Sequence, residues 1–306
     1  MDPIRAALLA ADVVVPHTDA DGLAAGAIAL RARGEPAAAA VLFGRGENPW
    51  RTPPPGVPAL LDWGLRASDL PVVVVDHHVP EASPGPDQHV LSGAGEDPET
   101  STAPLLRRLF PEQPAWLAAV GAVGDLGDRG FALPECAGAP KTAVRKLVPL
   151  INAPRRGPEL DGVRVALELL VEHEDPKAAL ADPRITVLAA ARDAWRSEWE
   201  RVRRTAPQVG ERVAVIRFSS AFQVHPLIAQ MWAKRLAPRP VLAANDGYLP
   251  GRVAFSIRGT AGDLRALLRE ALPDVGGEFA HGHPRATGGT LTPEDFERLL
   301  VGLARP

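Results

Sequence analysis

The sequence predicts an α/β protein in which a doubly wound parallel-sheet domain is followed by a smaller α/β domain. Residues 72–75 are four consecutive valines, which is typical of a strand buried on both faces of a parallel sheet. Short apolar runs alternate with alanine-rich helical segments around this strand, as expected for βαβ units. The chain has 306 residues, more than one hydrophobic core usually serves, so two domains are expected.

The composition is that of an ordinary globular protein, with 46% hydrophobic and 23% charged residues. A net charge of −3 gives the chain no overall field that attracts nucleic acid, although it does not exclude a local basic groove. Cys136 is the single cysteine, which excludes an internal disulfide and a cysteine-based metal site. No apolar run approaches the ~18 residues of a membrane span and the N-terminus lacks a signal-peptide pattern, so a cytoplasmic protein is expected.

Hydrophobic periodicity and turn residues predict the order of the elements. In the first domain we expect strands or apolar strand-like runs at 12–16, 38–43, 59–61, 72–75 and 88–92, and helices at 23–33, 101–110, 114–124, 141–151 and 161–173. In the second we expect strands at 212–218, 240–245 and 251–257, helices at 225–237, 262–272 and 293–303, and a glycine-rich loop at 281–289. The predicted domain boundaries are 1–182, a helical linker at 183–206, and 207–306. Arg155 and Arg156 are expected in a surface loop.

Acidic residues and a histidine alternate directly after the first predicted strand. His17, Asp19 and Asp21 point the same way if this segment is extended, and Gly22 permits the turn into the next helix. Three such side chains can hold a divalent cation. The alternative is that the two aspartates only cap the helix.

Further acidic residues and histidines stand where other apolar segments end. Asp62 follows the run at 59–61, and Asp76-His77-His78 follows the four valines. Ligand sites in parallel sheets form at the carboxyl ends of strands, so these side chains are expected to converge. Asp125 follows a helix of small residues that can approach the sheet closely. Asp128 is the alternative candidate for the same ligand position. In the alternative interpretation, Asp76 caps the next segment and the histidines are surface residues.

The order His-x-Asp-x-Asp-Gly, Asp-x-Gly, Asp-His-His and Gly-Asp resembles that of the DHH phosphoesterase superfamily, with the RecJ-like branch as the best match. The resemblance implies a catalytic domain with two metal ions, usually Mn²⁺, with Mg²⁺ as the other possibility. It implies that His17 and Asp19 bind one metal, that Asp21, His77 and Asp125 bind the other, and that Asp62 bridges them. It also implies a catalytic pair in which Asp76 orients a histidine and His78 faces the phosphate.

The C-terminal domain carries a second part of the resemblance. Ser256-Ile257-Arg258 and the segment from His281 to Gly289 resemble the Ser-x-Arg strand and the glycine-rich loop of the DHH-associated C-terminal domain. The implied substrate-binding residues are Ser256, Arg258, His283, Arg285, Gly288 and Gly289. The sequence departs from the family loop because Ala280 and His281 replace its first two glycines and Thr287 replaces a small apolar residue.

The expected function is therefore hydrolysis of phosphodiester bonds in single-stranded or short oligonucleotides, as by a RecJ-like exonuclease or a nanoRNase. One alternative is a phosphoesterase of small nucleotides, such as 3′-phosphoadenosine 5′-phosphate or a cyclic dinucleotide. A catalytically inactive binding scaffold is another. The expected partners are the metal ions and a nucleotide or oligonucleotide, and no membrane.

Overall fold

The computed structural model describes residues 2–276 and 279–304, without the side chains of residues 281 and 282. The chain forms two compact units: residues 1–155 with 159–192 make up the first, and residues 156–158 with 193–306 make up the second. Among the described helices, none combines the length and apolar character that crossing a membrane requires.

The first unit is built on a four-stranded parallel sheet in the order β1-β2-β3-β4. Its strands are β1 (Val13–Pro16), β2 (Pro58–Leu61), β3 (Val72–Asp76) and β4 (Gln88–Ser92). All five residues of β3 are buried, as the run of valines predicts. The predicted α/β fold with a parallel sheet is confirmed.

Helices cover one face of this sheet. They are α1 (Pro3–Ala10), α2 (Ala20–Arg33), α3 (Thr102–Leu109), α4 (Ala115–Leu126), α5 (Lys141–Ile151), α6 (Asp161–Glu172) and α7 (Pro176–Ala181). Val73 and Val75 pack into the core on this side. Val72 and Val74 pack on the opposite face with Phe43, where a smaller cluster forms from connecting segments. The helix α8 (Ile185–Val202) contains the division between the two units.

The strand expected at 38–43 is wrong. Residues Ala37–Ala39 form a short 3-10 turn, and Val41 donates a backbone hydrogen bond of 3.0 Å to Val14 of β1. This segment therefore lies beside β1 without forming a strand. Alanine favours a strand weakly, and Pro36 restricts the entry to the segment, which accounts for the short turn.

The second unit is a six-stranded mixed sheet in the order β5-β6-β7-β8-β10-β9. Its strands are β5 (Gln208–Val209), β6 (Ala214–Phe218), β7 (Val241–Leu249), β8 (Arg252–Arg258), β9 (His281–His283) and β10 (Ala286–Leu291). The helices are α9 (His225–Arg235), α10 (Leu264–Ala271) and α11 (Pro293–Leu303). Two apolar clusters, one on each side of the sheet, form its core.

The glycine-rich loop expected at 281–289 is also wrong, because β9 and β10 form a hairpin there. Gly288 lies against Phe255, and a Cβ atom at this position would overlap the Phe255 carbonyl oxygen. A Cβ atom on Gly289 would overlap the backbone of Phe279. Close backbone packing therefore requires both glycines, whether or not a ligand approaches them.

Candidate metal centre

The carboxyl ends of β1, β2 and β3 lie side by side in the first unit. The backbone N–H of His17 donates to the Leu61 carbonyl at 2.9 Å, and that of Asp62 donates to the Val75 carbonyl at 3.0 Å. Pairing thus continues to the last residues of each strand. It places His17, Asp62 and the Asp76-His77-His78 segment along one edge of the sheet, where ligand sites of parallel sheets form.

Asp62 has a φ of 70°, and it is the one non-glycine residue with a positive φ in the described part of the chain. Aspartate tolerates this left-handed conformation better than most residues, and such conformations are frequent at functional sites. Gly64 follows with a φ of 69°, and its N–H donates to Oδ2 of Asp76 at 2.7 Å. Asp76 therefore holds the turn that directs the Asp62 side chain.

His17, Asp19 and Asp62 form a first cluster, with one ligand atom from each within 4.8 Å of the others. His17 Nδ1 lies 2.9 Å from Asp19 Oδ2 and 3.6 Å from Asp62 Oδ2. The other oxygen of Asp19 accepts from the N–H of Gly22 at 3.0 Å and caps α2. Asp19 is thus a helix cap through one oxygen and faces His17 through the other, so the two interpretations of this residue are compatible.

A second cluster contains Asp21, Asp62, His77 and Asp125, again within 4.8 Å of one another. His77 Nε2 lies 3.0 Å from Asp125 Oδ2, 3.4 Å from Asp62 Oδ1 and 4.0 Å from Asp21 Oδ2. Asp62 belongs to both clusters: its Oδ2 is directed to His17 and its Oδ1 to His77. This is the geometry that a bridging carboxylate needs.

The N-terminus of α3 holds Asp21 in place. The two carboxylate oxygens of Asp21 accept hydrogen bonds from Ser101 Oγ at 2.8 Å, from the N–H of Thr102 at 2.6 Å and from the N–H of Ala103 at 2.9 Å. The Thr102 hydroxyl donates to Asp62 Oδ1 at 3.0 Å. These groups are buried, so they fix the orientation of two candidate ligands. The sequence indicated only that a helix begins at 101.

Close packing of α4 brings the second cluster together. Gly121 lies against Asp21 and Ala103, and a Cβ atom on this glycine would overlap Asp21 Oδ1 and the Ala103 methyl group. The small residues of α4 thus allow its C-terminal turn, which carries Asp125, to reach the same site. Asp128 instead lies on the surface, where Arg145 donates two hydrogen bonds to its carboxylate, at 2.9 and 3.1 Å.

The two neighbouring histidines differ in exposure and partners. The His77 side chain is 14% exposed, whereas that of His78 is 55% exposed. Asp76 Oδ1 accepts from the N–H of His78 at 2.6 Å and lies 3.2 Å from its Nδ1. Asp76 thus orients the His78 ring, while His77 points into the second cluster.

The electrostatics of the two inner histidines reflect the surrounding carboxylates. Burial lowers the pKa of His17, but the negative charges of Asp19 and Asp62 outweigh this effect and raise it to about 10. Burial likewise lowers the pKa of His77, and the carboxylates of Asp125 and Asp62 raise it to about 11. In the metal-free protein both rings therefore carry a proton at neutral pH.

The pKa values of two carboxyl groups in the second cluster are also raised. Burial, together with the charges of Asp62 and Asp125, raises the pKa of Asp21 well above its usual range. Burial also raises the pKa of Asp125, to which the charge of Asp62 adds. In the second cluster, burial and the neighbouring negative charges therefore both disfavour the ionised forms of these two carboxyl groups.

The donor set fits two divalent cations. His17 Nδ1 and His77 Nε2 are buried and have no partner in hydrogen-bond geometry within the described residues, although carboxylate oxygens lie within 3.0 Å of each. Donor atoms that converge without bonding to each other are typical of a cation site. The six candidate ligands include four carboxylates, whose charge two divalent cations would balance. Oxygen and imidazole donors suit Mn²⁺ or Mg²⁺.

Sequence reasoning missed several side chains around these clusters. The Trp63 ring contacts the His17 ring edge to face, with their centroids 5.0 Å apart. Asn152 Oδ1 accepts from the N–H of Ala20 at 2.9 Å, and Arg155 follows in the next turn. Trp63 stands between Asp62 and Gly64 in the sequence, so its position beside the first cluster could have been inferred locally. The contact of Asn152 is long-range and has no local signal.

The substrate-binding residues expected in the second unit lie on β8 and the hairpin. Ser256 is buried and pairs with Gly288 across the sheet, and Arg258 is half-buried and donates to the carbonyls of Ile257 and Thr287, both at 3.0 Å. His283 and Arg285 are exposed at the turn of the hairpin, and Gly289 pairs with Phe255. The structure therefore places five of these residues on neighbouring strands of one sheet and Arg285 in the turn of the hairpin.

Comparisons with known proteins support the fold. The chain matches a crystal structure of exonuclease RecJ bound to manganese with a TM-score of 0.65 and 21% identity, covering 100% of this chain and 95% of that one. It matches RecJ from Thermus thermophilus with Mn²⁺ at a TM-score of 0.68 and 21% identity, and with Mg²⁺ at 0.61 and 20%. These two matches cover 99% of this chain but 54% and 52% of the Thermus chains, so this chain spans about half of their length.

Another similar structure is PggH, a pGpG-specific phosphodiesterase from Vibrio cholerae, with a TM-score of 0.55 and 12% identity over 95% of this chain and 97% of that one. No protein-family model matches the chain. No curated protein matches its sequence either. The chain thus shares the fold of RecJ and of PggH, at low sequence identity to these structural neighbours.

Proposed function

We propose that the chain is a two-metal phosphodiesterase that acts on short single-stranded oligonucleotides. The observation that carries this proposal is the arrangement of Asp62, which directs one carboxylate oxygen to each of two clusters of ligand-type side chains. The fold shared with RecJ and with PggH, two enzymes that hydrolyse phosphodiester bonds, supports the same class of reaction.

The residues take the following roles in the proposed centre. His17 and Asp19 would hold one cation, Asp21, His77 and Asp125 would hold the other, and Asp62 would be shared by both. Two divalent cations held there would supply the charge that neutralises the phosphate oxygens and acidifies a water. Asp76 orients His78, whose exposed ring is free to contact the phosphate or to protonate the leaving oxygen.

The second unit supplies substrate binding in this proposal. Ser256, Arg258, His283, Arg285 and the hairpin glycines lie on one sheet and offer hydroxyl, cationic and backbone donors to a phosphate. A processive nuclease additionally needs a long basic groove with stacking aromatics. Only 5% of the residues here are aromatic and the net charge is −3, which favours a substrate of a few nucleotides.

A small-nucleotide phosphoesterase is the second candidate function. PggH is specific for pGpG, a linear dinucleotide, and its structure has a TM-score of 0.55 with this chain. A dinucleotide is also the shortest oligonucleotide of our proposal, so the two candidates overlap at this length. An inactive scaffold is disfavoured because the carboxylates of both clusters are present.

The test is hydrolysis of 5′-labelled RNA and DNA oligonucleotides from 2 to 20 nucleotides in Mn²⁺ or Mg²⁺, a range chosen to span roughly the reach of one strand-binding module. We expect kcat/KM to be highest at about two to five units, lower on longer strands and negligible on blunt duplex, whose ends are base-paired and stacked. Equal or higher efficiency on long strands would indicate a RecJ-like exonuclease. Turnover of mononucleotides or cyclic dinucleotides alone would favour the second candidate.

A further inference from the structure

Trp63 occupies the unassigned position of the Asp-x-Gly motif, and its ring contacts two other rings. The centroids of Trp63 and His17 are 5.0 Å apart with their planes at 86°, and those of Trp63 and Phe43 are 6.0 Å apart with their planes at 77°. Both contacts are edge to face, an arrangement that such rings favour. Phe43 belongs to the apolar cluster on the sheet face opposite the helices, and Trp63 packs against this cluster. Trp63 therefore connects the apolar cluster to a candidate metal ligand.

The turn that carries Trp63 is held independently of its ring. Its two neighbours are both in the left-handed region, Asp62 with a φ of 70° and Gly64 with a φ of 69°. The Gly64 N–H donates to Asp76 at 2.7 Å, which fixes this turn. The Asp62 carboxylate has a further support, because the Thr102 hydroxyl donates to it at 3.0 Å. The orientation of Asp62 therefore does not depend on the Trp63 ring alone.

The His17 ring has a different set of contacts. Its Nδ1 lies 2.9 Å from Asp19 and 3.6 Å from Asp62, and its ring plane meets that of Trp63. Both carboxylates are themselves candidate ligands of the same cation. A histidine that binds a metal usually has its ring oriented by a group that is not a ligand. For His17, the Trp63 ring is placed to be that group.

We propose that Trp63 is a positioning residue, whose edge-to-face contact keeps Nδ1 of His17 directed to the first cluster and so raises the affinity of this cluster for a divalent cation. This inference rests on the metal centre of the proposed function and adds a residue that is not a ligand. A ligand whose rotamer is held by packing loses less conformational freedom on binding, so removal of the contact should weaken binding. In the second cluster, the ring contact of His77 is with His78 instead, so the affinity of that cluster should change little.

The competing role is that Trp63 only fills the apolar cluster. Trp50 gives a matched comparison, because it is also half-buried, packs against the same cluster and has a buried Nε1 without a hydrogen-bond partner among the described residues. The aromatic contact of His17 is with Trp63 and not with Trp50. If packing alone matters, the same substitution at the two tryptophans should affect metal binding equally.

The experiment compares Trp63→Leu, Trp63→Phe and Trp50→Leu with wild type. Mn²⁺ binding is titrated by calorimetry, and unfolding of the metal-free proteins by denaturant gives the loss of stability in each variant. For Trp63→Leu we expect one Mn²⁺ to bind about tenfold more weakly and the other to stay within about twofold of wild type. Trp63→Phe should bind both as wild type does, because phenylalanine keeps an edge-to-face partner for His17. Trp50→Leu should also bind both normally, although it loses stability.

A change at His17 identifies the cation that is affected. In a His17→Ala background, Trp63→Leu should have no further effect on the remaining Mn²⁺, because the contact through which Trp63 acts is absent. If Trp63→Leu does not fold, Trp63→Met tests the same contact, since its flexible side chain fills irregular space without a ring. The expected Mn²⁺ affinities are the same for both variants.

Equal weakening of both cations in Trp63→Leu would overturn the proposal. The same loss of affinity in Trp50→Leu, or equal affinities of Trp63→Leu and Trp63→Phe, would also overturn it. Failure of the proposed function gives a different result. If wild type binds two Mn²⁺ but hydrolyses no oligonucleotide, the proposed function is wrong, while a difference in Mn²⁺ affinity between the two Trp63 variants still establishes the role of this ring.

Discussion

Thr102 donates its hydroxyl hydrogen to Oδ1 of Asp62 over 3.0 Å, and both side chains are buried. The acceptor is the oxygen that faces His77, and Asp62 is held in a left-handed conformation. Thr102 therefore fixes a side chain whose backbone conformation is already strained. A group that orients a metal ligand in this way affects the metal as well as the fold.

We predict that Thr102→Val, which keeps the shape of the side chain but removes its hydroxyl, weakens Mn²⁺ binding by about 10–100-fold. The backbone N–H of residue 102 still reaches Asp21 in this variant, so the N-terminus of α3 stays anchored. Thr102→Ser retains a hydroxyl and serves as the matched control. Calorimetric titration with Mn²⁺ measures the effect, and equal affinities of the Val and Ser variants would contradict this role of Thr102.

Substitution of His77 and substitution of His78 should have different effects on metal content and on turnover. His77 faces three carboxylates, so His77→Ala should lose metal and activity together. His78 is 55% exposed and contacts Asp76, so His78→Ala should keep its metal and lower kcat by about 10²-fold. Metal analysis and steady-state kinetics on both variants measure this. A His78 variant without metal, beside a His77 variant with its full content, would reverse the two roles.

Metal binding should release protons at neutral pH. In the metal-free protein the pKa of His17 is raised to about 10 and that of His77 to about 11, so both rings are protonated at pH 7. A metal binds only the deprotonated ring, and it must displace these protons. The apparent Mn²⁺ affinity should therefore increase as pH rises from about 6.5 to about 8.5, an interval that begins at the ordinary pKa of histidine and stays below the raised values. Calorimetry in buffers of different ionisation enthalpy gives the number of protons, and binding without proton release would contradict the assigned ligands.

His225 in the second unit gives a pH dependence of stability. Its side chain is 6% exposed; burial, and after it the charge of Arg258, lowers the pKa of His225 to about 4 from 6.5. The ring is neutral in the folded chain and takes up a proton on unfolding below pH 6.5. The contribution of the neutral His225 ring to the free energy of unfolding is therefore fully present above pH 6.5. It is lost as pH falls from there towards 4, by about 2 kcal/mol between pH 7 and pH 5.

His225→Gln should reduce this loss, because glutamine does not titrate. The free energy of unfolding by denaturant is measured at pH 7 and pH 5. Both values lie above the ordinary pKa of carboxyl groups, which is about 4. His89→Gln, at an exposed histidine of β4, is the control and should behave as wild type. The same pH dependence in both variants would show that His225 does not titrate as described.

Local signals in the sequence account for much of the fold and for the candidate ligands. The valines of β3 and the small residues of α4 define their elements without tertiary information, and each group of candidate ligands begins where an apolar segment ends. The hairpin at 281–291 was missed because Gly288 and Gly289 favour a loop locally, whereas pairing with β8 fixes them in a strand. The contacts of Ser101 with Asp21 and of Asn152 with Ala20 join residues 80 and 132 positions apart, so no local pattern indicates them.

Asp62→Asn tests most directly whether the Asp62 carboxylate is shared by two divalent cations. Asparagine tolerates the left-handed backbone and keeps the size of the side chain, so the change removes mainly one negative charge. Mn²⁺ content after equilibrium dialysis and turnover of a labelled dinucleotide are measured together, with Asp128→Asn as the control at an exposed aspartate. We expect two Mn²⁺ per chain and activity in wild type and in the control, and loss of at least one Mn²⁺ with turnover reduced by more than about 10³-fold in Asp62→Asn. Two bound Mn²⁺ with near-normal turnover in Asp62→Asn would contradict the account.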